Sequence, residues 1–71
     1  MMKQQYYVND NAQPLSGDHE VHTASCIYID LIKSKTYLGM YDNCADAVRE
    51  AKKYYTQSNG CSLCAKPCHT G

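Results

Sequence analysis

Asn43-Cys44-Ala45-Asp46-Ala47-Val48-Arg49-Glu50-Ala51-Lys52-Lys53-Tyr54-Tyr55 is the stretch that decides the fold. Cys44, Ala47, Val48, Ala51, Tyr54 and Tyr55 recur at i, i+3, i+4 and i+7, the spacing of a helix with one apolar stripe. The Asn43 side chain suits the N-cap. Asp46, three positions on, makes a capping-box-like pair and puts negative charge at the positive end of the helix dipole. Arg49, Lys52 and Lys53 fall towards the other end, where cations are favoured. Ser58-Asn59-Gly60 reads as a stop and turn, so the helix is expected to end near residues 55–57.

Outward from the helix, Thr36 to Tyr41 alternates as a strand, and Gly39 within it signals a bulge or a close backbone approach. Lys33-Ser34-Lys35 looks like a turn, and a second strand is expected near Cys26–Ile29 with His22 just ahead of it. Residues 9–18 are rich in Asn, Asp, Pro and Gly and read as a loop. Gln4 to Val8, with Tyr6, Tyr7 and Val8, reads as a first short strand. After the helix, residues 60–71 are too rich in Gly, Pro and Cys for a long element. The expectation is an α+β fold forming one domain over residues 1–71. A small antiparallel sheet of two to three strands packs against one helix, and the C-terminal tail is irregular and Cys-rich.

Such a domain has little with which to build a core. The 71 residues include seven tyrosines but no Phe and no Trp, and each buried tyrosine hydroxyl needs a partner. A chain of this length buries only about 60% of the surface its unfolded form exposes. Domains this small usually carry a staple: disulfides, a metal or a partner chain. Net charge is zero, which argues against a strong overall field for nucleic acid or membrane. The charge is uneven, however. Residues 1–30 hold one lysine against four acids, and residues 31–71 hold six cations against three acids. The N-terminal Met1-Met2-Lys3-Gln4-Gln5 lacks the apolar run of a secretory signal, and no stretch of 18 apolar residues could span a membrane. The expected location is therefore cytoplasmic. There cysteines are thiols or metal ligands more often than disulfides, and the odd count of five fits that reading.

Three spacings carry the chemistry. Cys61-x2-Cys64 is the loop geometry in which two thiolates chelate one metal, but it is only half of a four-ligand structural zinc site. His22-x3-Cys26 offers a second pair, and Cys68-His69 offers alternative ligands. His22 and Cys26 are the preferred completion, since joining them to Cys61 and Cys64 closes a long loop, whereas a site built from Cys61 to His69 orders only the tail. Cys44, at the first turn of the helix, lies where the dipole lowers a thiol pKa, but its place on the apolar stripe predicts an inert core residue. His19, beside Asp18 and Glu20, reads as part of an exposed polar loop. Haem attachment does not fit Cys64-x3-Cys68-His69, whose spacing is one residue too long. A thioredoxin-like pair needs a strand before it and a helix after it, and here the helix comes first.

The ordered set Val21-His22-x3-Cys26, Tyr37-Leu38-Gly39, Cys44-x2-Ala47-Val48-x2-Ala51-Lys52 and Gly60-Cys61-x2-Cys64-x3-Cys68-His69 resembles a family of small bacterial domains containing Cys and His. The resemblance covers residues 19–69. It implies a short antiparallel sheet packed on one helix and no particular chemistry.

The functional expectation is a small non-catalytic interaction domain, rich in Cys and His and stabilised by zinc, with a protein as partner. One alternative is a nucleic-acid-binding accessory module using Arg49, Lys52, Lys53, Lys33 and Lys35 for phosphates. Another is a thiol redox protein built on Cys61 and Cys64. The sequence contains no Gly-rich phosphate loop, nucleophile elbow or H-E-x-x-H motif.

Overall fold

In the computed structural model, which describes residues 3–70, alternation gives the first strand as expected: β1 runs over Gln4–Asn9, with Tyr6 and Val8 buried between exposed or half-buried neighbours. The second strand lies earlier than the sequence suggests. It is β2, His19–Thr23. Cys26–Ile29 instead forms turns, with the Cys26 amide donating to the Thr23 carbonyl and the Ile29 amide to the Cys26 carbonyl, leading into a 3-10 turn at Ile29–Leu31. Pairing decides this, because β2 is the segment in register with β1: Tyr6 faces Thr23, Tyr7 faces His22 and Val8 faces Val21, antiparallel.

Strand β3, Lys35–Tyr41, pairs antiparallel with the other side of β1. Its register slips by one residue, Tyr6 opposing Gly39 and Tyr7 opposing Tyr37, which leaves Leu38 as the extra residue of a bulge. Gly39 takes φ +120° there, with the Tyr41 hydroxyl 3.3 Å from where a Cβ would stand. The strand could not carry an L side chain at that point without strain.

Helix α1 spans Cys44–Ala51, and the Asp46 amide donates to Asn43 Oδ1 at 2.9 Å, the expected cap. Cys44, Ala47 and Ala51 are its buried face. The helix stops sooner than its stripe predicts. The Lys53 and Tyr54 amides bond three residues back, tightening the last turn. Tyr54 is left exposed, and Tyr55 stacks on His19 with ring centroids 3.8 Å apart.

Ser58–Gly60 is not a turn but a short fourth strand, β4, paired parallel with β2. The sheet order is β3-β1-β2-β4, so the expectation of two or three antiparallel strands is corrected to a mixed sheet of four. The composition of Ser58-Asn59-Gly60 hides this, because backbone pairing to β2 makes the strand, not side-chain preference. The tail is also ordered, ending in a second 3-10 turn at Lys66–Cys68. Buried Asn59 ties it down: its Nδ2 donates to the Thr70 carbonyl and its Oδ1 accepts from the Thr70 amide, both at 3.0 Å.

Strand alternation divides the sheet into two faces. Tyr6, Val8 and Val21 join Leu38, Cys44, Ala47 and Ala51 in the core beneath the helix. Tyr7 and its partner His22 fall on the other face. No helix among the described residues is long and apolar enough to cross a membrane.

At the end of β1, Asp10 accepts hydrogen bonds from Thr36 Oγ1 at 2.6 Å, Ser34 Oγ at 2.7 Å and Tyr55 Oη at 2.9 Å, joining three segments. These bonds, Thr36 first, hold its carboxyl below the usual range. A depressed folded-state pKa gives stability that is present above the unfolded value and is lost as pH falls through the folded one. Asp10→Asn is therefore expected to cost about 1 kcal/mol near neutral pH, allowing for solvent screening. The gap from the parent should close below about pH 4 in urea melts, and a gap that persists in acid would contradict the assignment.

Candidate metal centre

His22 and Cys26 come from one end of β2 and the turn that follows it. Cys61 and Cys64 come from the knuckle after β4. The parallel register pairs Val21 with Gly60, and the Cys61 amide continues the ladder by donating to the Val21 carbonyl at 2.9 Å. One step further along that register sets Cys61 beside His22. The knuckle then turns back, the Ala65 amide bonding the Cys61 carbonyl at 3.0 Å.

The result is a cluster. Ligand atoms of His22, Cys26, Cys61 and Cys64 all lie within 4.8 Å of one another, and three of the four residues are buried. His22 Nδ1 stands 3.6 Å from Cys26 Sγ and 3.8 Å from Cys64 Sγ, and the Cys26 and Cys61 sulfurs are 4.0 Å apart. Around a tetrahedral ion with Zn–S of about 2.3 Å and Zn–N of about 2.05 Å, the edges come to ~3.8 Å between sulfurs and ~3.6 Å from nitrogen to sulfur. The observed spacings lie close to these values.

The surroundings suit a cation. Burial pushes the His22 imidazolium below its ordinary pKa, against the opposing pull of Glu20. The ring is then neutral at pH 7, the form that ligates metal. Its Nε2 stands 3.7 Å from Glu20 Oε1, so Nδ1 faces the sulfurs and the other nitrogen faces a carboxylate. Main-chain amides point at two of the thiols, Thr23 at Cys64 Sγ (3.3 Å) and Leu63 at Cys61 Sγ (3.5 Å). Without a cation, burial above all pushes the Cys64 thiol up to about 12, and the neighbouring Cys26 and Cys61 add to it against the Thr23 amide. Three thiols this close cannot ionise together unless a positive charge is shared among them.

The two alternative ligands lie elsewhere. Cys68 is disulfide-bonded to Cys44, with Cα atoms 6.2 Å apart, and His69 Nδ1 bonds the Gly60 carbonyl at 3.0 Å. Cys44 is buried as its stripe predicts, but it is half of a bridge and not a free core thiol. The expectation leans towards thiols or metal ligands; Cys26, Cys61 and Cys64 are free, while Cys44 and Cys68 form a disulfide. No spacing in the sequence announces that bridge. It follows from the knuckle folding back over Gly60, where a Cβ would lie 2.8 Å from Cys68 Cβ and 2.7 Å from the Ala65 carbonyl oxygen. Of the basic residues considered for phosphate contacts, Arg49 pairs with Asp46 at 3.1 Å and Lys53 with Glu50 at 3.0 Å. The helix cations are thus largely matched on their own surface. No family model, curated protein or solved structure matches the chain.

The cysteine partition is directly countable. Alkylation of the unfolded, unreduced, chelator-treated protein should label three cysteines, Cys26, Cys61 and Cys64, and prior reduction should raise the count to all five. Peptide mapping that finds label on Cys44 or Cys68 without reduction would contradict the bridge.

Proposed function

We propose that this chain is a small, non-catalytic interaction domain whose fold is held by one structural zinc ion on His22, Cys26, Cys61 and Cys64. The observation that carries the reading is the convergence of these four ligand atoms within 4.8 Å. Three cysteines and one histidine form one of the donor sets of closed, four-coordinate zinc sites. Soft thiolates with an imidazole in tetrahedral array select zinc over harder, oxygen-seeking cations. Four protein ligands leave no open position for substrate or a reactive water, so the ion's role is structural.

The physical need is plain. The buried apolar set includes three cysteines and three alanines beside Tyr6, Val8, Val21 and Leu38, a small core for a whole domain. A metal joining residues 35 to 42 positions apart contributes its binding energy directly to folding. Native mass spectrometry of protein purified without chelator should show one zinc per chain. A strong chelator should lower the melting temperature by more than about 10 °C, since even a few kcal/mol moves a domain of this size that far. Cys61→Ser should abolish zinc retention. Metal-free protein whose melting temperature ignores both zinc and chelator would overturn the proposal.

A further inference from the structure

Beside the metal centre, on the sheet face away from the helix, lies a cavity of about 430 Å³. Asn9, Glu20 and His22 line it from the strands, Tyr28 and Leu31 from the loop after Cys26, and Ser62 from the knuckle. Its volume is at the small end of ligand sites, enough for one long side chain. The only lining group with a formal charge is the Glu20 carboxylate. That side chain is 20% exposed and stands 3.7 Å from His22 Nε2, and no Lys or Arg lines the cavity, so it has a negative floor without a matching cation.

The loops beside the metal centre hold large apolar side chains open to water. Ile27 is 76% exposed, Leu31 73% and Leu63 55%. These residues sit on the two loops that bear the clustered cysteines: Ile27 directly follows Cys26, and Leu63 lies between Cys61 and Cys64. Of the three, Leu31 lines the cavity itself, and a large exposed side chain at a concave site suits recognition. The negative floor selects what enters it, and it disfavours nucleic acid.

We infer that this cavity is the docking site for a partner peptide that inserts one basic side chain, arginine or lysine, towards Glu20 and lays a flanking apolar residue against Leu31. The aliphatic stem of such a side chain packs on Tyr28 and Leu31 while its charged head reaches the carboxylate. The inference deepens the interaction-domain reading. It uses the metal only as the anchor of the two loops.

The test titrates the full chain with acetyl-Leu-Arg-Leu-amide, its Lys counterpart and its Glu counterpart, and follows backbone amide shifts. Saturable shifts at Glu20, Tyr28, Leu31 and Ser62 are expected with the cationic probes, and binding of the acidic probe should be weaker by about fivefold or more. Glu20→Gln keeps the side chain's shape and an acceptor facing His22, and should erase the difference between probes. Leu31→Asn, outside the ligand set, should weaken all three. Acidic and cationic probes binding equally, saturable shifts mapping to another face, or no saturable shift into the millimolar range would overturn the inference. So would shifts at these residues on concentrating the protein alone, which would mean that a second copy covers the face. Metal is counted in the same samples. Charge-selective binding at this cavity by metal-free protein would overturn the zinc reading and leave this one standing.

Discussion

The parallel pairing of β4 with β2 is the constraint on which the rest of this structure depends. It is only three residues long, yet it turns a Gly- and Cys-rich end into part of the sheet. Its last rungs, Val21 with Gly60 and the Cys61 amide on the Val21 carbonyl, carry Cys61 and Cys64 to His22 and Cys26. A strand this short has little stability of its own. It persists because Asn59 grips Thr70, because Gly60 lets the knuckle close over it, and because Cys68 is bridged to Cys44. Each support acts on the same few residues, so loss of one weakens the others.

The two covalent or near-covalent restraints divide the tail between them. The disulfide links the first residue of α1 to the end of the tail across 24 positions, a loop whose closure is worth about 3.5 kcal/mol in chain-entropy terms. The metal cluster links the start of the tail to the end of β2. Because both tether the same segment, their contributions cannot simply add. With the bridge intact, the knuckle stays near His22 even without an ion, and the ligands are partly preorganised. An ion bound there would in turn fix the turn at Cys26, which the bridge does not reach.

The legible parts of the sequence were those with local causes. The apolar stripe and Asn43 cap announced α1, Tyr6 and Val8 announced β1, and Gly39 announced the bulge. His22, Cys26, Cys61 and Cys64 were singled out together because spacing suggested pairs and a long closed loop favoured joining them; the fold does bring them within reach of one another. The failures have a common cause. Strand β4, the true position of β2, and the Cys44–Cys68 bridge all follow from pairings between distant segments, which composition does not record. Ser58-Asn59-Gly60 has the residues of a turn and the partners of a strand, and the partners win. Tyr54 and Tyr55 continue the helical period in sequence, but Tyr55 gains an Asp10 carboxylate and the His19 ring by leaving it.

The two faces of the sheet differ in what covers them. One is covered by α1, whose Ala47 and Ala51 share one buried core with Val8 and Val21. The other carries the loop that holds Tyr28 and Leu31 beside Glu20 and His22, and its large side chains Ile27 and Leu31 are exposed. A loop that exposes its apolar residues gains little from burial and needs another anchor. Cys26 supplies one at its start, and the Ser34 hydroxyl, donating to Asp10 at 2.7 Å, supplies one at its end. Between those two anchors the backbone is held while the side chains remain free, an arrangement that spends folding energy on presenting a surface instead of burying it.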